Sequence, residues 1–254
     1  LNWKKEYKTY SKFMSYTSLI FRRAVKLGII PANPMDLVDI PKKHVDVLDN
    51  NKHNYWSLQQ LKEFLASVYN EDHDIRYDRI TLFYLLATTG MRKGEALALT
   101  WNDVDLQQHL VSINKTVSRS LHNKQIIATP KTINAYRTLA LDKATSKSIN
   151  EYKKSLPKIP KATDFIFQNA AGNMMSLMTP NHWLAHFIKE TGLPKISVHG
   201  LRHTFASVQV TNKINPKAVQ MQLGHADAEI TLDVYTHMER DQVSADVLDI
   251  GSLI

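Results

Sequence analysis

The sequence predicts a mainly α-helical fold with a small antiparallel β-sheet, an α+β chain. Helical periodicity with start and stop signals accounts for most of the 254 residues, and an alternating pattern occupies only residues 110–141. That length suffices for one substantial core, or for a main domain with a smaller companion.

Residues 4–27 read as a helix with Phe13, Leu19, Ile20, Ala24 and Leu27 among its apolar positions and Gly28 as its stop. Pro31, Pro34 and Pro41, followed by a polar run at 49–54, indicate a turn or two and then a linker. Residues 1–45 are too few for an independent domain and read as the end of one that starts upstream, so the chain is expected to be a fragment of a longer protein. A linker at 46–54 and a larger domain at 55–254 complete the expected organisation.

Ser57 caps a helix at 58–68, with Gln60 three residues later as its box partner. A strongly apolar helix at 78–89 stops near Gly90, which places Arg92 just beyond a buried, rigid element. Val111, Ile113 and Val117 suggest one strand, residues 125–129 a second and 137–141 a third. Lys131 falls in the connection between the last two. A helix follows at 143–156, then a short strand at 165–168. Thr179 and Pro180 act as N-cap and first-turn residue of a helix through Phe187. Residues 194–198 lead into a helix carrying His199, whose first amides could meet a phosphate. Asn215 and Pro216 open a last clear helix that Gly224 closes, so His225 emerges from a helix end and Tyr235 lies on a following helical segment.

Composition narrows the function. The formal charge is +8, from 32 Lys and Arg against 24 Asp and Glu, and it is unevenly placed: residues 115–161 hold 11 basic against 2 acidic residues, and residues 1–27 hold 7 against 1. Two basic regions suit a chain that grips a polyanionic duplex, although each alone could be a solvated face. The absence of cysteine excludes disulfides and thiolate metal sites and fits a reducing cytoplasm. The most apolar run, 80–89, is far short of a bilayer span, so no membrane role is expected.

The residues that could carry chemistry are Arg92, Lys131, His199, Arg202, His225 and Tyr235, with Glu95 and His203 in support. A phosphodiester undergoing substitution gathers charge on its non-bridging oxygens, which guanidinium groups can clamp with paired charge-assisted hydrogen bonds. Arg92 and Arg202 are the candidate clamp. Tyr235 is a weak nucleophile unless a base and a positive field assist it, and His199 could take its proton. A lysine on a turn can protonate the departing alkoxide; Lys131 leads, and Lys124 is not separable from it on charge. Arg202 follows His199 by three residues, so the two would share a helix face, as an ordinary surface pair also would. Glu95, three residues after Arg92, could orient it or form a plain helix ion pair.

Taken together, these segments resemble the tyrosine recombinases, also called the phage integrase family, and most of all those of phages and conjugative elements of low-GC Gram-positive bacteria. The resemblance runs from about residue 55 to residue 237. It rests on the stretch from Thr89 to Leu99 with Trp101, Asp103 and Asp105, then on Thr129, Pro130, Lys131, Thr132 and Arg137. It continues with His199 through Ser207, with Leu223, Gly224 and His225, and with Val234, Tyr235, Thr236 and His237. Upstream, residues 21–25 with Gly28, Ile29, Ile30, Asn33 and Pro34 resemble the end of the family's core-binding domain.

The resemblance implies a recombinase catalytic-domain architecture at 55–254 and a site-specific DNA strand exchange that needs neither metal nor cofactor. Arg92 and Arg202 would bind the phosphate, Tyr235 would become linked to a 3′ phosphate, and His199 would assist proton transfer. His225 would hydrogen-bond the phosphate, Lys131 would protonate the 5′ hydroxyl, Glu95 would support Arg92, and His203 would be supportive. The implied partners are double-stranded DNA at attachment or crossover sites, three further protomers in a tetramer that passes through a Holliday junction, and an excisionase or host DNA-bending protein. Residues 238–254 resemble the tail that packs on a neighbouring protomer. The implied setting is the bacterial cytoplasm, at the nucleoid. A type IB topoisomerase shares this phosphate chemistry without partner exchange, and a catalytically inactive DNA-binding module is a second alternative.

Overall fold

The computed structural model describes residues 10–39, 54–69, 75–129 and 136–224. It divides into two compact units, Leu1–Lys52 and His53–Ile254.

In the first unit, helix α1 (Tyr10–Lys26) ends in the turn at Gly28, whose φ is +69°. Buried Asn33 then pins a 3-10 turn (Pro34–Leu37) to α1: its amide donates to Ser18 Oγ at 3.1 Å, and its Oδ1 accepts from the Met35 backbone at 3.0 Å. The apolar positions of α1 do not form a buried stripe, because Phe13, Leu19, Ile20 and Leu27 are all exposed. Among the described residues of this unit, one helix and one turn offer too little surface to cover them.

The second unit is built around helix α3 (Tyr77–Thr89). It is apolar on nearly every face, so it is buried on nearly every face: Ile80, Leu82, Phe83, Leu85, Leu86 and Ala87 all lie in the core. It packs against α2 (Leu58–Tyr69), α5 (Lys143–Ser155) and α7 (Val198–Thr211). Two of its hydroxyls bond across the α5 seam, buried Thr81 with Ser148 Oγ at 2.9 Å and half-buried Thr88 with Thr145 Oγ1 at 2.9 Å. Phe64 of α2, Phe83 and Phe187 of α6 (Thr179–Thr191) meet edge-on at 5.0 to 6.0 Å between ring centres. Rings so placed contribute about 0.5–1.5 kcal/mol per pair beyond burial. Trp56 fixes the start of the unit, its indole donating to Pro194 O at 2.8 Å and its backbone N–H to Thr204 Oγ1 at 2.9 Å.

The expected box of Ser57 and Gln60 is present in both directions, at 3.2 and 2.9 Å. Helix α4 (Lys93–Ala98) leads into a 3-10 turn (Trp101–Asp103) and then into strands β1 (Val104–Asp105), β2 (Leu110–Ile113), β3 (Thr116–Arg119), β4 (Gln125–Ala128) and β5 (Arg137–Ala140). These make two antiparallel sheets rather than one, β1-β2-β5 and β3-β4. Val117 therefore does not continue the strand of Val111 and Ile113. The chain breaks between them because Asn114 and Lys115 turn back onto the buried carboxylate of Asp103. Residues 165–168 form isolated bridges, Thr100 with Phe165 and Gln168 with Met174, instead of a strand. Helix α6 starts one residue earlier than its signal: Met178 is the N-cap, without a side-chain bond, and Thr179 is the first helical residue. Helix α8 (Pro216–Leu223) opens with Asn215 Oδ1 accepting from the Lys217 backbone at 2.9 Å and closes at Gly224. No helix among the described residues is long and apolar enough to cross a membrane.

Candidate active site

Arg92 is the N-cap of α4, two residues past the left-handed Gly90 that ends α3. Its backbone N–H donates to Glu95 Oε2 at 2.8 Å and its Nη1 to Glu95 Oε1 at 2.9 Å. Glu95 is buried and lies in the first turn of α4, where the helix dipole favours a negative charge. It supports Arg92, but Arg92 is only one of its partners. Arg137, the first residue of β5, sends Nη1 to Oε1 at 3.1 Å and Nη2 to Oε2 at 2.7 Å. Burial pushes the Glu95 carboxyl upward; the hydrogen bonds and charges of Arg137 and then Arg92 outweigh this and hold it below the ordinary carboxylate range.

Gly94 fits α4 tightly against β3. A Cβ there would lie 2.6 Å from Val117 O and 2.7 Å from Thr116 Oγ1. Lys93, beside Arg92, donates to Asn181 Oδ1 at 3.0 Å and so ties α4 to α6. Burial, then the positive charge of Arg119, lowers its pKa from the ordinary lysine value.

Arg202 is 1% exposed. Its Nη1 donates to Gly90 O and its Nη2 to Leu223 O, both at 2.6 Å. These carbonyls close α3 and α8, and helix C-termini carry the partial negative charge that a buried guanidinium needs. His199 and Arg202 stand three residues apart on α7, as the spacing implies, but they differ in exposure. His199 is exposed and meets His203 edge-on at 5.0 Å between ring centres, whereas Arg202 turns into the core. Farther along α7, Thr204, Phe205, Ala206 and Val210 are buried while residues 207–209 are half-buried, so packing decides exposure.

Arg92, Glu95, His199, Arg202 and His203 are thus described, and Arg202 joins the α7 segment to the Gly90 turn that leads to Arg92. Lys131, His225 and Tyr235 lie outside the described residues, as does the tail at 238–254. Arg137 carried no role in the sequence reading. A signal was available: in an alternating strand it shares the face of Leu139, so a charge there needs a buried partner. Asp103, part of the resemblance, is a second buried carboxylate. It is ion-paired with Lys115 and accepts from Thr100 Oγ1 at 2.6 Å and Asn114 Nδ2 at 2.7 Å. A cavity of about 760 Å³ lined by Trp101, Asp103, Asp105 and Lys153 includes none of the nominated residues.

The model of the phage integrase family matches residues 55–242. The chain belongs to the phage integrase family. Among its relatives within that family, the integrase of Staphylococcus phage L54a is 31% identical over 221 residues, covering 80% of this chain and 62% of the relative. The ICEBs1 integrase of Bacillus subtilis strain 168 is 25% identical, with 95% and 65% covered. The chain therefore spans a little under two thirds of these relatives. The phage integrase fold also agrees with a solved Tn1549 transposon integrase in complex with a circular intermediate DNA. That likeness has a TM-score of 0.73 at 23% identity and covers 94% of this chain and 82% of the other.

Proposed function

We propose that the protein is a site-specific DNA recombinase that integrates or excises a mobile element through a 3′-phosphotyrosyl intermediate. The observation that carries this reading is the bond from Arg202 to Gly90 O, two residues before Arg92. It joins two guanidinium-bearing segments that are far apart in sequence, as a phosphate clamp requires. In the proposed reaction Tyr235 Oη attacks the phosphorus and the bond to the 5′ oxygen breaks. His199 takes the tyrosine proton and Lys131 gives one to the departing 5′ oxygen. Arg92 and Arg202 stabilise the charge on the non-bridging oxygens, and His225 hydrogen-bonds the same phosphate. Glu95 holds Arg92, and His203 braces His199. A second strand's 5′ hydroxyl then displaces the tyrosine, so the bond energy is retained in the covalent link.

The substrate in this reading is double-stranded DNA at attachment or crossover sites, which fits the net charge of +8 and the DNA held by the solved Tn1549 integrase. Assembly as a tetramer, help from an excisionase or a host DNA-bending protein, and work at the bacterial nucleoid in the cytoplasm belong to the same proposal. So does the assignment of residues 1–45 to the end of a core-binding domain, ahead of a linker at 46–54 and a catalytic domain at 55–254. The test is incubation with a suicide duplex carrying the parent element's crossover site, without metal or ATP, followed by denaturing electrophoresis and peptide mapping. A 3′-phosphotyrosyl adduct at Tyr235 that disappears in Tyr235→Phe while DNA binding persists is the expected result. An unchanged covalent yield in that variant rules Tyr235 out as the nucleophile.

A further inference from the structure

The second buried partner of Glu95 has a third bond. Arg137 Nε donates to Gln222 O at 2.9 Å, in the last turn of α8, beside the Leu223 carbonyl held by Arg202. One side chain, 7% exposed, therefore grips the carboxylate that orients Arg92 and the helix end that closes at Gly224. It stands at the first residue of β5, opposite Ile113 of β2, and so is fixed at its base by the three-stranded sheet. In chain order it also follows Lys131 by six residues.

We propose that Arg137 is a positioning residue for strand cleavage, setting Arg92 through Glu95 and Arg202 through the end of α8. The inference rests on the recombinase reading above. A guanidinium suits this task and an ammonium does not. The two parallel bonds to Glu95 and the separate Nε bond to Gln222 need three donors in one rigid plane. A lysine keeps the charge beside Glu95 but cannot hold both partners in fixed register.

The test compares the unaltered full-length protein with Arg137→Lys, Arg137→Gln, Glu95→Gln and the double variant Arg137→Gln with Glu95→Gln. Three quantities are measured: thermal melting, affinity for the crossover duplex, and the single-turnover rate of suicide-substrate cleavage at saturating protein. Arg137→Lys is expected to melt near the unaltered protein and to bind DNA with unaltered affinity. Its cleavage rate is expected to fall by roughly a hundredfold, the scale of a small misplacement of reacting groups. The double variant is expected to lose less rate than the two single losses combined, because both act on one network.

An unaltered rate in folded Arg137→Lys overturns the proposal. So does a loss confined to DNA affinity, or failure of both Arg137 variants to fold, which would make Arg137 a stability residue only. If the unaltered protein forms no tyrosyl adduct, the recombinase reading falls and this inference with it. An adduct accompanied by indifferent Arg137 variants removes this inference alone.

Discussion

Gly90 and Gly192 end two helices of the same unit in the same left-handed conformation, φ +65° and +69°, but in different surroundings. A Cβ on Gly90 would lie 2.6 Å from Phe205 Cδ1 and 2.8 Å from Leu223 Cδ2, whereas a Cβ on Gly192 would meet nothing within 4 Å. Alanine at either position carries the left-handed backbone cost, about 1 kcal/mol. Both also gain alike from a stiffer unfolded chain. Only Gly90→Ala adds overpacking in the core, about 1–3 kcal/mol. Equilibrium urea unfolding should therefore place Gly90→Ala about 1–3 kcal/mol below Gly192→Ala. The site gives a second readout. The Gly90 carbonyl holds Arg202 at 2.6 Å, so a shift of this turn to relieve Phe205 also moves the guanidinium. Suicide-substrate cleavage should fall at least tenfold in Gly90→Ala and stay unaltered in Gly192→Ala. Equal losses of stability, or a Gly90→Ala protein that cleaves at the normal rate, would refute the link between this turn and Arg202.

Glu95→Ala strips a buried guanidinium of its carboxylate and should cost about 3–5 kcal/mol of unfolding free energy, measured in urea at neutral pH. Because the folded Glu95 carboxyl lies below its ordinary range, its contribution is complete above the unfolded value. It is lost as pH falls from about 4.3 through the depressed folded value. Acid unfolding curves of the unaltered protein should therefore drop more steeply in that window than those of Glu95→Gln. Lys131→Ala should slow cleavage of an ordinary 5′-oxygen substrate far more than cleavage of one with a 5′-thiolate leaving group. Equal losses on both substrates would remove Lys131 as the general acid.

The helical frame was legible because its signals are local. Ser57 and Gln60 cap α2, Asn215 caps α8, and the apolar run of α3 announced a buried helix. What escaped depends on contacts between distant residues. The break between β2 and β3 exists because Asp103 draws in Asn114 and Lys115, a demand that no alternation of apolar residues encodes. Arg202 was placed beside His199 by helical spacing, yet its partners are carbonyls at positions 90 and 223. The exposed apolar residues of α1 make the same point in reverse: periodicity gives a helix, and only a partner gives it a buried face.

The two nominated arginines are held in unlike ways, and this bears on how they would share a phosphate. Arg92 is about one third exposed in its side chain and anchored by a carboxylate, whereas Arg202 is buried and anchored by helix-end carbonyls. A carboxylate pairs directly with a guanidinium's charge, whereas the carbonyl dipoles of helix ends orient it. Burial also reduces the water that would screen that charge. On the recombinase reading, Arg202 is the member of the clamp set by the ends of α3 and α8, and Arg92 is the member aimed through Glu95. The cost of keeping Arg202 dehydrated falls on the ends of α3 and α8. This explains why Gly90, Leu223 and the Arg137 bond to Gln222 cluster where they do: the helix ends that hold the buried charge must themselves be held.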